Sequence, residues 1–357
     1  MKALRLHGIG RLQIDQIKVP ELTGEEILLQ VKACGVCGSD LPRIYQFGTG
    51  NGKYPLTLGH EFSGIVADTA RTEDRELIGR EAAVYPLIPC RTCEYCRTEQ
   101  YAMCQNYNYL GSRTDGGFAE YCIVPSKWHL AIPKTGKITF EELAMTEPAS
   151  VAQHAVRKGK VTGGDSVVIF GAGPIGIMAA RWCRIFGASK VLLMEVEKEK
   201  REIAQGLDLE TADNSRNNPA ELVRKWNNGM PADVVIEGSG SSGALNQACS
   251  SVKHHGRIVL MGNPSGDIRL NRENYSCILR KEISLQGIWN SIFTGFPRDE
   301  WSYTIEMIEK GRLKVGDLVT HQVSLEELPG LLEEMHQGKR DVCKAVYTAQ
   351  GEGGKGL

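Results

Sequence analysis

No apolar run in this 357-residue chain approaches the roughly 18 residues needed to cross a bilayer, which argues against a helical membrane span. An excess of one charge is missing too, since 42 Lys and Arg face 43 Asp and Glu for a formal −1. Without a global basic field, nucleic acid and anionic membrane surfaces drop out as main partners. The first residues, Met1 to Leu6, alternate charged and apolar positions and carry no apolar block of the signal-peptide kind. They read as a first strand, and the expectation is a cytosolic protein. Internal repeats and low-complexity tracts are absent as well.

Cysteine, by contrast, is plentiful, with 11 residues. The odd count and local clustering argue against a disulfide framework in a chain this long. Metal-bound thiolates in a reducing compartment account for them better. Length fits about two domains on the ~150-residue prior. A hydrophobic content of 41% with 24% charge is ordinary for a globular protein.

Residues 1–152 carry short β-type runs (27–33, 64–67, 81–85) with Gly and Pro between them, the rhythm of a barrel-like or sandwich β domain. From about residue 165 the rhythm changes. Apolar strands at 166–170, 191–194, 232–236 and 257–261 alternate with helical patterns such as 174–186 and 197–205. Strands buried on both faces and separated by helices predict an α/β fold with a doubly wound parallel sheet, placed at 153–289. Residues 290–357 add helical patterns at 301–310 and 326–336 and a last strand at 344–347, read as a return to the first domain. The glycine-rich end from about 351 is expected to be disordered.

Cys90, Cys93, Cys96 and Cys104 give C-x2-C-x2-C-x7-C, in a lobe of about 88–106. Tetrahedral zinc takes four thiolates, and a short knuckle delivers them without long-range folding. An iron–sulfur cluster also uses four thiolates and is the runner-up. With all ligands from one lobe, the site reads as closed and structural.

Gly171-Ala172-Gly173-Pro174-Ile175-Gly176 follows a strand and opens a helix, the context a dinucleotide fingerprint requires. Gly171 permits the tight turn, Gly173 lets backbone approach a pyrophosphate, and Gly176 allows close helix packing. Pro174 and Ile175 open the helix, whose free N–H groups suit phosphate. Glu195 ends the next strand, where a carboxylate bonds ribose hydroxyls and repels a 2′-phosphate, favouring NAD over NADP. Arg201 is a further candidate contact, and with Lys198 and Lys200 it weakens that exclusion slightly.

Cys37, His60-Glu61 and Glu147 offer one thiolate, one imidazole and two carboxylates, a donor set suited to zinc with an exchangeable position. Such a zinc acts as a Lewis acid on an alcohol oxygen, so that hydride can leave to a nicotinamide. Singly, each residue has a plainer reading: Glu61 as a salt-bridge partner, Glu147 as a helix cap. Neighbouring Cys34 reads as a core thiol.

The order of Cys37, Gly59-His60-Glu61, the four-cysteine lobe and Gly171 to Gly176 resembles the zinc-dependent medium-chain dehydrogenase/reductase family, in its polyol dehydrogenase branch, over essentially the whole chain. The resemblance implies a GroES-like catalytic domain split between the two ends of the chain, with a Rossmann domain between. It also implies two zinc ions, one structural and one catalytic, and NAD. Cys37, His60 and Glu147 would hold the catalytic zinc, with Glu61 entering during turnover and Ser39 passing the alcohol proton toward solvent. Leu41-Pro42 stands where alcohol dehydrogenases of the family place a relay histidine, which leaves the later proton path open.

Segments 37–44, 54–64, 111–121 and 278–282 narrow the resemblance toward enzymes oxidising a secondary hydroxyl of a polyol phosphate. Arg43, Lys53 and Arg113 flank the site motifs and are the candidate phosphate contacts. An unphosphorylated polyol such as sorbitol or xylitol, a vicinal diol or threonine is the close alternative. A non-catalytic NAD-binding protein is the remote one. A homodimer or homotetramer is implied, joined through the run 280–288.

Overall fold

The computed structural model describes residues 1–264, 266–294 and 299–349. The disordered tail expected from about residue 351 lies outside them. In chain order the strands are β1 (Lys2–Leu6), β2 (Leu12–Gln16), β3 (Ile27–Gly35), β4 (Leu56–Thr57), β5 (Glu61–Thr69) and β6 (Glu81–Val84). β7 (Leu87–Ile88), β8 (Asn108–Tyr109), β9 (Tyr121–Val124) and β10 (Leu130–Ala131) follow. Next come β11 (Ser166–Phe170), β12 (Lys190–Met194), β13 (Glu210–Ala212), β14 (Ala232–Glu237), β15 (Val252–Leu260) and β16 (Ser284–Gly287). β17 (Val319–Val323) and β18 (Lys344–Thr348) close the series. The chain divides into one unit of Met1–Pro148 with Ile292–Leu357 and another of Ala149–Ser291.

The first unit is β-rich because its strands alternate. β3 buries Ile27, Leu29, Val31 and Ala33 while Leu28, Gln30 and Lys32 stay half-buried. One sheet runs β10-β6-β5-β3-β18-β17, with β9 also paired to β3, and a second runs β2-β1-β4. β5 outgrows the predicted 64–67, since β3 and β6 both pair with it and the β3 pairing reaches Gly35↔Glu61. β18 pairs antiparallel with β3 at Val346↔Gly35, building the C-terminal segment into the first sheet. The helix Leu328–His336 starts two residues later than the pattern 326–336 suggests. Ser324 and Glu327 close a turn on each other, and Pro329, with no N–H to give, sits in the first helical turn.

Leu4, Leu29, Val31, Leu58, Phe62 and Phe118 belong to the main core of this unit. Beside it, Phe293 stacks on Tyr85 at 4.7 Å and meets Trp128 and Trp301 edgewise at 5.2 and 5.6 Å. Trp128 also carries the Arg91 guanidinium 4.3 Å from its ring centre and the Tyr101 ring at 5.0 Å.

The second unit holds one six-stranded sheet, β13-β12-β11-β14-β15-β16, parallel throughout. β11 reads Ser-Val-Val-Ile-Phe and is buried along its length, as a central parallel strand covered on both faces should be. β16 is the exposed edge.

Candidate active site

Cys37, His60 and Glu61 each bring one donor atom into a group whose members all lie within 4.8 Å of one another. Three pieces of sheet place them. Cys37 follows the end of β3, where Val36 N donates to Ala345 O of β18 at 2.9 Å. His60 and Glu61 open β5, directly after Gly59, whose φ of +89° suits glycine. A Cβ at Gly59 would also lie 2.7 Å from Cys34 Sγ and 2.8 Å from the Phe118 ring. Cys34 is a buried core thiol donating to its neighbour's carbonyl.

Asp40, which sequence reasoning passed over, organises this corner. It is fully buried, and its Oδ2 accepts from Cys37 N at 3.0 Å while Oδ1 accepts from Arg43 Nη1 at 3.0 Å. His60 Nδ1 is buried without a hydrogen-bond partner and lies 3.7 Å from that Oδ1. A carboxylate facing one ring nitrogen orients the imidazole so that the other, Nε2, can serve a metal.

Lys344 is the second residue missed. Its ammonium, 4% exposed, is held by the Glu61 carboxylate, 1% exposed. The pair passes over β3 at Gly35, where a Cβ would lie within 3.0 Å of both side chains. Tyr109 is the third. Its hydroxyl donates to Glu147 Oε1 at 3.2 Å, and its ring is edge-on to His60 at 5.8 Å. Glu147, in the first turn of the helix Thr146–Lys158, stands outside the three-donor group.

Without a metal, the electrostatics at this corner favour protonated donors. Burial, then Glu61 and Asp40, push the Cys37 thiol up to about 12. Burial likewise pushes the Glu147 carboxyl up to about 7, against the pull of His60 and Lys344. Four potential anions (Cys37, Asp40, Glu61, Glu147) thus face two cations, Lys344 and Arg43. A divalent cation would favour the ionised forms, and the S, N and O donors, with the imidazole oriented by Asp40, fit zinc.

Cys90, Cys93, Cys96 and Cys104 form the other group within 4.8 Å. Cys90 N donates to Cys104 Sγ at 3.2 Å and Cys93 N to Cys90 Sγ at 3.4 Å. The Thr92 hydroxyl and local amides hold the Cys90 thiol down at about 5, ready to ligate as thiolate. Among the described residues no cysteine is bridged.

In the second unit the glycine loop has the required shape. Gly171 has φ +105°, Gly173 has open space where a Cβ would be, and a Cβ at Gly176 would lie 2.1 Å from Gly171 O. Pro174 opens the helix Pro174–Ile185, with Ile175 half-buried behind it. Glu195 lines a cavity of about 170 Å³ with Gly171, Asn214 and Ser241. Its carboxylate accepts from Ala172 N, Val196 N and Glu197 N at 2.9, 2.8 and 3.0 Å. Arg201 is occupied elsewhere, donating to the carbonyls of Glu195 and Val196 and pairing with Asp213 at 3.3 Å.

Ser39 is half-buried beside Cys37. Of the candidate phosphate contacts, Arg43 is spent on Asp40. Arg113 donates to Tyr107 O at 2.6 Å and lies 4.0 Å over that ring. Lys53 is exposed on the loop after Gly52.

Two family models match the chain: the alcohol dehydrogenase GroES-like domain over residues 23–134 and the zinc-binding dehydrogenase over 174–310. Galactitol 1-phosphate 5-dehydrogenase of Escherichia coli (strain K12) is 30% identical over 346 residues, 96% of this chain and 97% of the relative. Sorbitol dehydrogenase of Bacillus subtilis (strain 168) is 31% identical, covering 97% and 96%. The crystal structure of galactitol-1-phosphate dehydrogenase from Escherichia coli superposes with a TM-score of 0.90 at 28% identity, covering 98% of this chain and all of that one. A β-rich GroES-like unit with clustered Cys, His and Glu donors, a Rossmann unit with its glycine loop, and relatives matched end to end lead to one assignment: the chain belongs to the zinc-dependent medium-chain dehydrogenase/reductase family, among its polyol dehydrogenases.

Proposed function

We propose that this chain oxidises a secondary hydroxyl of a polyol phosphate with NAD, galactitol 1-phosphate to tagatose 6-phosphate being the first reaction to test. The observation that carries the chemistry is the clustering of Cys37, His60 and Glu61 donor atoms within 4.8 Å of one another, with Cys37 half-buried and the other two buried. Zinc bound there supplies Lewis acidity toward an alcohol oxygen, and bound NAD accepts the hydride. Cys37 and His60 would hold the metal, with Glu61 or Glu147 as the carboxylate that completes the set, and Asp40 would orient His60. Ser39 takes the alcohol proton toward solvent. Cys90, Cys93, Cys96 and Cys104 hold a second, structural zinc.

NAD rather than NADP is supported by Glu195 on the cavity wall and by the pairing of the nearby cations. Lys198 meets Glu202 at 3.2 Å, Lys200 meets Glu197 at 2.7 Å, and Arg201 is engaged as described. Unbridged cysteines support a reducing, cytosolic setting. No described helix is long and apolar enough to cross a membrane. The exposed edge strand β16, with Leu285 and nearby Leu279 and Trp289 45–62% exposed, supports a homodimer or homotetramer joined there.

A second reading, an unphosphorylated polyol, is favoured by the engagement of both Arg43 and Arg113, which leaves Lys53 as the exposed candidate. Steady-state kcat/KM for galactitol 1-phosphate, sorbitol, xylitol, a vicinal diol and threonine, each with NAD and NADP, decides. A phosphate preference that Arg43→Ala and Arg113→Ala leave intact while Lys53→Ala weakens it places the phosphate at Lys53. Equal rates for sorbitol and galactitol 1-phosphate refute the phosphorylated substrate.

A further inference from the structure

The two carboxylates beside the metal group are held in different ways. Glu61 is engaged by the Lys344 ammonium, across Gly35. Glu147 is engaged by a neutral hydroxyl, Tyr109 Oη, donating to Oε1 at 3.2 Å. The same tyrosine ring lies edge-on to His60, centroids 5.8 Å apart at 67°. One side chain therefore touches both a ligand imidazole and the carboxylate outside the three-donor group.

Several contacts fix Tyr109 itself. β8 pairs with β7 at Leu87↔Tyr109. The Tyr109 carbonyl accepts from Arg113 N at 2.9 Å and Thr114 N at 3.1 Å, and Leu110 N donates to Pro86 O at 2.9 Å. Tyr107 meets the Tyr109 ring at 6.3 Å and carries the Arg113 guanidinium at 4.0 Å. These contacts fix the backbone from which the ring and its hydroxyl project.

A carboxylate free to swing within reach of a dication takes a ligand position, because oxygen is among the donors zinc accepts. A hydrogen bond to a charged acceptor biases such a two-position equilibrium by roughly tenfold to a hundredfold. We propose that Tyr109 is a positioning residue for Glu147: its hydroxyl keeps that carboxylate beside the metal's ligand set rather than in it, leaving the exchangeable position open to an alcohol oxygen. This rests on the zinc-enzyme reading above.

Tyr109→Phe tests it, since phenylalanine keeps the ring against His60 and removes only the hydroxyl. The probe is cobalt(II), loaded into wild type and variant, and the difference spectrum cancels the four-thiolate lobe. With Glu147 freed to ligate in the exchangeable position, the visible d–d bands shift and the metal leaves to a chelator roughly tenfold more slowly. Over the same change kcat falls while KM for the alcohol rises. Adding Glu147→Gln to Tyr109→Phe returns the wild-type spectrum. A wild-type spectrum and release rate in Tyr109→Phe overturn the proposal, as does a spectral change that persists in the double variant. A wild-type chain that binds cobalt only at four thiolates overturns the zinc-enzyme reading, and this proposal with it.

Discussion

The four thiolates of the lobe come from one stretch, residues 90–104, and reach each other through local amides and a single short turn of helix. Cys37, His60 and Glu61 instead depend on Asp40, on Tyr109 beyond the lobe, on Glu147 and on Lys344 near the chain's end. The lobe's site is a property of a short peptide. The other exists only once β3, β5 and β18 lie side by side. A closed set of four like ligands suits structure, and a mixed set assembled over distance leaves room for exchange.

The largest break in that comparison is His60→Ala. It should abolish turnover while metal analysis still finds the lobe's zinc, one of the two candidate groups being intact. Lys344→Met should come next, and only in the metal-free chain. There it strands the buried Glu61 carboxylate, at a cost of about 3–5 kcal/mol in chemical denaturation. Zinc should reduce the loss, which an equal loss with and without metal would contradict.

Cys93→Ser should release the other zinc and lower stability by about 2 kcal/mol, roughly 5 °C in Tm, with little change in KM for the alcohol. If KM rises tenfold, the two sites are not separable.

The last test is one of pH. In the metal-free chain Glu147 is raised from 4.5 to about 7, and Cys37 from 9.0 to about 12. The folded state holds these protons more tightly than the unfolded one, so stability present below pH 4.5 is lost as pH rises through 7, and again from 9 upward. Metal binding expels the protons, so affinity rises over the same windows. Glu147→Gln should flatten the metal-free Tm profile between roughly pH 5 and 8. A profile that keeps its slope would assign the proton elsewhere.

What could be read from the sequence follows the same division. The lobe and the glycine loop are legible because spacing alone dictates their geometry. β11 is legible because Val167-Val168-Ile169 has no polar face to expose. Lys344 was not, since a lysine heading an apolar strand has no local sign of the carboxylate it will meet across the sheet. Tyr109 looked like one aromatic among many after Cys104. Asp40 could have been found, sitting three residues past Cys37 as the type of group that orients a ligand histidine. For Arg43 and Arg113 proximity in sequence was the whole signal, and closeness to a motif does not say which carboxylate or carbonyl a guanidinium meets.

Trp128 stands where the lobe meets the rest of its unit, with Arg91 against its indole and Phe293 on another side. An indole's emission responds to a cation and to polarity at that distance. The chain therefore carries an optical gauge of whether the lobe is seated: stripping its metal should shift the emission of native protein, and Trp128→Phe should silence the shift. Lobe occupancy could then be followed in real time, unlabelled, while the other site turns over.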